Sequence, residues 1–125
     1  MSDSRIVVVT GAAQNIGAAI ADRFLDNGDT VVCADLRAPD STEVDYIETN
    51  VAEEVSVEAL MAAMADRYGR LDVLVNNAGI CIETAIQDTS ESEWDRVMSV
   101  NVKSTFLTTK HARELLTNGS ERASA

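Results

Sequence analysis

Apolar residues follow two alternating rhythms along this chain. Residues 6–9 are continuously apolar, which predicts a strand covered on both faces, as in a parallel sheet. Ile16, Ile20 and Phe24 then recur at helical spacing, and Gly28 stands where a left-handed helix cap belongs. A second apolar run over 31–36 contains Asp35, and a weaker strand is expected over 44–48 beyond a polar loop around Pro39. Residues 53–68 predict a helix, with Val57, Leu60, Met61, Met64 and Tyr68 on one face and Gly69 as its stop. A fourth strand is expected over 71–75, followed by Asn76-Asn77-Ala78-Gly79. Ser90-Glu91-Ser92-Glu93 has capping-box spacing and opens a long helical stretch. That stretch runs through Trp94, Val97, Met98, Phe106 and Leu107 to Leu115 and Leu116, with a bend expected near Asn101 and an end at Asn118-Gly119. Strands alternating with helices imply βαβ units and a parallel α/β sheet.

Composition narrows the picture. A chain of 125 residues with no repeat, low-complexity segment or internal boundary reads as a single domain over 1–125. Ten basic against twenty-one acidic residues give a net charge of −11, which disfavours nucleic acid and anionic membrane surfaces. The N-terminus holds only a four-residue apolar run, too short for a signal peptide or a membrane span. Cys33 and Cys81 lack CxxC spacing, so free thiols in a reducing, cytoplasmic compartment are expected and no metal site. Asp22, Asp26 and Asp29 read as a solvated face and its adjoining loop. Trp94 is expected to pack the start of its helix. His111, the sole histidine, is expected at a partly exposed helix position.

The junction from Val9 through Thr10-Gly11-Ala12-Ala13-Gln14-Asn15-Ile16-Gly17 carries the strongest chemical signal. A strand running through a glycine-bearing turn into a helix aims unpaired N–H groups and the positive end of the helix dipole at one point. That point suits a diphosphate. Asp35 ends the next strand eighteen residues after Gly17. A carboxylate there can accept from both hydroxyls of an adenosine ribose and repels a 2′-phosphate. The alternative is a generic strand–turn–helix with an incidental aspartate.

Thr10-Gly11-x-x-x-Asn15-Ile16-Gly17, with Asn76-Asn77-Ala78-Gly79 about sixty residues on and then Asn101, closely resembles the short-chain dehydrogenase/reductase family. A 3-oxoacyl carrier-protein reductase and a sugar or polyol dehydrogenase are both compatible with it. The resemblance covers essentially the whole chain but only the N-terminal half of a typical member. It implies a Rossmann-like, doubly wound parallel sheet, truncated after the fourth strand and its helix. The function it implies is hydride transfer between a nicotinamide dinucleotide and a small alcohol or carbonyl substrate. Position by position, Gly11, Gln14, Asn15, Ile16 and Gly17 would surround the pyrophosphate. Asp35 and Leu36 would meet the adenosine ribose, and Asn50 and Val51 the adenine. Asn76, Ala78 and Gly79 would shape the sheet edge near the ribose, and Asn77 would join Ala78 and Gly79 in binding the cofactor. Asn101 matches the helix asparagine with which the family holds a catalytic water.

Three departures bear on the cofactor. Asn15 replaces the usual middle glycine; asparagine tolerates left-handed geometry and is a good N-cap. Asn50 stands where aspartate is usual, and its amide oxygen can still accept from adenine. Gln14 and Ala18 are neutral where members using NADP often carry a basic residue. With Asp35, that favours NAD over NADP, against Arg37, which could meet a 2′-phosphate.

The family's chemistry also needs a serine, a tyrosine and a lysine four residues after that tyrosine. Tyr46 is followed at that distance by Asn50, and Tyr68 by Asp72. The chain alone is therefore expected to be inactive. The fourth strand should be an exposed edge, and the last helix, which in the family packs against another subunit, should drive homo-oligomer formation or leave the chain marginally stable. Cys81 would lie toward the nicotinamide end of the cleft. A non-catalytic nucleotide-binding module and a structural fragment without cofactor are the competing readings.

Overall fold

A computed structural model describes residues 4–80 and 84–124, and the side chains through residue 120. The expected environment of Cys81 lies outside the described residues. The elements are β1 (Ile6–Thr10), α1 (Asn15–Asp26), β2 (Thr30–Asp35), β3 (Asp45–Glu48), α2 (Glu54–Arg67), β4 (Val73–Val75), α3 (Glu91–Met98) and α4 (Ser104–Ser124). A short 3-10 turn at Ile86–Asp88 precedes α3, and a π-helical turn at Ser99–Lys103 joins α3 to α4.

The sheet is parallel throughout, in the order β3-β2-β1-β4. Val8 of β1 stands between Val32 of β2 and Leu74 of β4. Because side chains alternate across a strand, β1 sends Val7 and Val9 to one face and Ile6 and Val8 to the other. Val7 and Val9 pack with Val31, Cys33 and the α1 residues Ala21, Ile20 and Phe24. Ile6 and Val8 pack with Val32, Ala34, Leu60 and Met64 of α2, and Ala112 and Leu115 of α4. Two covered faces explain why β1 is apolar at every position until Thr10. The fold is the Rossmann-like α/β arrangement that the sequence predicts. The chain turns to opposite sides after β1 and after β3, so a crevice opens beyond the carboxyl ends of β1 and β4.

Several local expectations need correction. β4 begins at Val73 rather than 71, because Leu71 N–H donates to Leu115 O in α4 at 3.0 Å instead of joining the ladder. The last helix does not end at Asn118-Gly119; α4 continues to Ser124. A β-carbon on Gly119 would lie 2.4 Å from Leu71 O and 2.8 Å from Asp72 Oδ1, so this glycine lets a helix pass close to the sheet. Asp29 is not a solvated residue. It is 8% exposed and accepts from Arg5 Nη2 at 2.8 Å and Nε at 3.2 Å. That fork, the main influence, holds its carboxyl below the usual carboxylate range. Trp94 does not pack the start of its helix but stands 53% exposed. The bend near Asn101 takes the form of the π turn, where one extra residue enters the helix. Gly28 has φ +89, the left-handed cap its position predicts, and β4 is the sheet edge expected of it.

Candidate functional site

The site is built where β1 and β4 release the chain. Thr10 ends β1 almost fully buried. Its hydroxyl accepts from the N–H groups of Asn77 and Ala78, both at 3.0 Å, and donates to Val75 O at 3.4 Å. One threonine thereby hangs the loop after β4 on the turn after β1. Gly11 continues the turn with φ +68, and its N–H donates to Ala34 O of β2 at 2.9 Å. A β-carbon on Gly11 would lie 2.9 Å from Ala78 Cα. On Gly17 it would lie 2.1 Å from Gly11 O and 2.5 Å from Asn77 Nδ2. Gly17 therefore exists to let the first turn of α1 press against the β1 turn. Asn77 Nδ2 completes the knot by donating to Gly11 O at 3.2 Å.

Asn15 has φ 55, the left-handed region that asparagine enters more readily than other side-chain-bearing residues. It preserves the turn without capping it: the N-cap is Gln14, in extended conformation and making no side-chain cap bond. The leading N–H groups of α1 have no acceptor within the helix, and the positive dipole end is concentrated beside them. Asn15, Ile16 and Gly17 line a cleft at that point.

Asp35 closes the other end of this cleft. Its Oδ2 accepts from Ala13 N–H and its Oδ1 from Arg37 N–H, each at 3.0 Å. The Arg37 guanidinium turns away from it, Nη1 donating to Gln14 Oε1 at 2.7 Å. Leu36 projects into solvent beside Asp35. The facing wall is Thr49, Asn50 and Val51. Asn50 Oδ1 accepts from Ala52 N–H at 3.0 Å, and Asn50 Nδ2 donates to Glu53 Oε1 at 3.1 Å. The amide that the resemblance directs at a base thus also shapes the approach to α2, with a second lone pair on its oxygen.

The cleft measures about 550 Å³. Gly11, Gln14, Asn15, Ile16, Gly17, Asp35, Leu36, Asn50, Val51, Asn77, Ala78 and Gly79 all line it. Asn76 stands just outside, its Oδ1 accepting from the buried Thr108 hydroxyl at 2.6 Å. Asn101 does not line the cleft. Both arms of its amide are used on one residue: Oδ1 accepts from Ile80 N–H and Nδ2 donates to Ile80 O, both at 2.7 Å. Its side chain fixes the chain leaving β4, and the π turn is what brings it there.

Sequence reasoning missed Ala34, Thr49, Ile80, Arg96 and Val100 on the cleft wall, and Thr108 behind it. Arg96 is the cationic residue of the lining and Asp35 the anionic one. Nothing in the α3 pattern singles Arg96 out; the capping box Ser90–Glu93, with Glu93 N–H on Ser90 Oγ at 3.1 Å, only locates the helix that carries it.

The remaining titratable groups stand apart. Burial, then Asp35, pushes the Cys33 thiol up to about 11. Tyr68 donates to Asp45 Oδ2 at 2.8 Å and is raised to about 12, chiefly by burial. Neither tyrosine lines the cleft. His111 Nε2 lies 2.7 Å and Lys110 Nζ 2.9 Å from Glu54 Oε2, lowering that carboxyl to about 2. This cluster joins α4 to α2. Among the described residues no group of three or more His, Cys, Asp or Glu side chains is placed to hold a metal ion.

Comparison with known proteins agrees with this geometry. The short chain dehydrogenase family model matches residues 5–123. A short-chain dehydrogenase/reductase of Armillaria gallica is 37% identical over 133 aligned positions, covering 95% of this chain and 51% of the relative. The 2-(R)-hydroxypropyl-CoM dehydrogenase of Xanthobacter autotrophicus is 40% identical, covering 83% of this chain and 48% of its own. Among solved structures, ligand-free aldohexose dehydrogenase of Thermoplasma acidophilum superposes with a TM-score of 0.88 at 36% identity, covering 92% of this chain and 45% of that one. The chain spans about half the length of the curated relatives it matches. A matching family model, the βαβ turn and the cleft at the switch point lead to one conclusion: this chain belongs to the short-chain dehydrogenase family.

Proposed function

We propose that this chain grips the dinucleotide of an NAD-dependent oxidoreductase that moves hydride between nicotinamide and the carbon of an alcohol or carbonyl. The observation that carries the reading is Asp35, a carboxylate of the cleft lining held by two backbone N–H groups. It accepts from the two hydroxyls of an unphosphorylated adenosine ribose, and its charge repels a 2′-phosphate.

The residues present fit such a cofactor. Gly11 and Gly17 carry no side chain of their own where the turn meets the first turn of α1, and the leading N–H groups of that helix open on the cleft, which is the cradle a pyrophosphate needs. Asn50 and Val51 flank the adenine, while Asn77, Ala78 and Gly79 support the nicotinamide ribose. When bound, the nicotinamide ring supplies the hydride donor or acceptor. Asn101 positions Ile80 at that end through its paired bonds. Association of copies through the exposed α3–α4 face, in a reducing cytoplasm that keeps Cys33 a thiol, completes the proposal. Among the described residues, no helix is long and apolar enough to cross a membrane.

A second reading, a nucleotide-binding module without chemistry of its own, is favoured by one observation. Neither Tyr46 nor Tyr68 is followed by a lysine four residues on, and neither lines the cleft. Fluorescence titration separates binding from its absence. Saturable NADH enhancement, with NADPH at least about tenfold weaker, supports the proposal, and Asp35→Asn should narrow the gap. Equal binding of the two, or none, overturns it. Turnover of alcohols by the chain itself would overturn the second reading.

A further inference from the structure

Arg37 sits two residues beyond Asp35, and its own N–H is already bonded to Asp35 Oδ1 at 3.0 Å. A guanidinium within reach of a carboxylate can pair with it fork to fork. Among the described residues the Arg37 guanidinium forms no ion pair. It donates instead to Oε1 of Gln14, a residue of the cleft lining, at 2.7 Å. Gln14 for its part occupies the N-cap of α1 and leaves the helix uncapped by its side chain. A residue placed to serve the helix serves the arginine.

We infer that Gln14 is a specificity-determining residue of this cleft: it holds the Arg37 guanidinium off Asp35 and so keeps the carboxylate available to an unphosphorylated ribose. The inference rests on the dinucleotide reading above. Each Asp35 oxygen spends one lone pair on a backbone N–H and retains another for a ribose hydroxyl. A guanidinium closing on those oxygens would occupy the remaining lone pairs and cancel the charge. The carboxylate would then stop repelling a 2′-phosphate, and the arginine would attract one. Gln14 is therefore a positioning residue that acts through Arg37, and its neutral amide lets it hold a cation without adding charge beside the pyrophosphate cradle.

The test measures the ratio of NADPH to NADH dissociation constants for the 125-residue chain and four variants, with far-UV circular dichroism to confirm that each is folded. Gln14→Ala should reduce the NADH preference by about fivefold. Gln14→Glu, which can still hold Arg37, should keep or increase the NADH preference even where the added charge weakens both ligands. Arg37→Ala should keep or increase the preference, and adding Gln14→Ala to it should change nothing further. A Gln14→Ala ratio equal to the native one, or the same fall in the Arg37→Ala background, overturns the inference while leaving the NAD reading intact. A native chain that binds neither dinucleotide, or both alike, overturns that reading and this inference together. Gln14 is exposed, and Arg37→Ala alone also tests the claim: a loss of NADH preference in it contradicts the competition described here.

Discussion

The two sides of the sheet centre differ sharply. From β1 toward β2 every strand residue of the central run is sealed, Val7, Val8 and Val9 at 0% exposure, with α1 on one face and α2 with α4 on the other. From β1 toward β4 the cover thins. All three β4 residues are only half-buried, α3 buries no residue, and Trp94, Val102 and Phe106 are 53%, 56% and 61% exposed. The turn that would hold phosphate stands on the sealed side, so its glycines and N–H groups are held by a finished core. Asn101 and Ile80, toward the nicotinamide end, rest on the open side. The proposed pyrophosphate grip thus stands against the well-covered part of the sheet, and the proposed nicotinamide end against the more exposed part.

The strongest way to break this contrast is to damage the sealed side. Gly17→Ala places a carbon against Gly11 O and Asn77 Nδ2, and should destabilise by about 3 kcal/mol or more and abolish NADH binding. Gly28→Ala meets no atom within 4 Å and should cost only about 1 kcal/mol, from its left-handed backbone. Denaturant unfolding compares the two. Asp29→Asn should cost about 1–2 kcal/mol by unlocking Arg5. The native Asp29 carboxyl is held below its ordinary value, so the folded state takes up its proton less readily than the unfolded one. Its contribution is complete above about pH 4 and fades as pH falls through the native value, so the variant's deficit should shrink in acid.

Changes on the open side sharpen the contrast by doing less. Phe106→Gln with Trp94→Gln should leave thermal stability within about 0.5 kcal/mol, because neither residue is buried, yet reduce self-association in sedimentation velocity. A large loss of stability would mean that this face is packed. Smallest of all is Glu54→Gln at the α2–α4 surface. Its carboxyl is lowered to about 2 by His111 and then Lys110, so any stabilisation is present above about pH 4.5, lost as pH falls toward 2, and weakened by salt. Melting curves at several pH values should show the variant converging on the native chain in acid.

Residue patterns made the sealed side legible because it obeys local rules. The apolar runs of β1 and β2, the weaker run of β3, the helical periods of α1 and α2 and the Thr10–Gly17 junction each report a single element, and the structure has those elements. What stayed hidden depends on distant partners. Gly119 looks like a helix stop until Leu71 O is found against it. Asp29 looks solvated until Arg5, twenty-four residues away, closes on it. Trp94 looks like core because aromatic residues usually are, yet among the described residues it stands 53% exposed. In the site, the Thr10 and Thr108 hydroxyls and Arg96 acquire meaning only when β1, β4 and the α3–α4 helices are brought together. The twelve cleft residues were legible for the opposite reason: they fall in short motifs whose spacing is local.

Amide chemical-shift mapping on titration with NAD+ tests the central claim most directly. The account predicts saturable shifts at Gly11, Ile16, Gly17 and Asp35, with Gly28 and the α4 residues facing α2 unmoved. Shifts confined to the exposed Trp94–Phe106 face, or none at all, would contradict it.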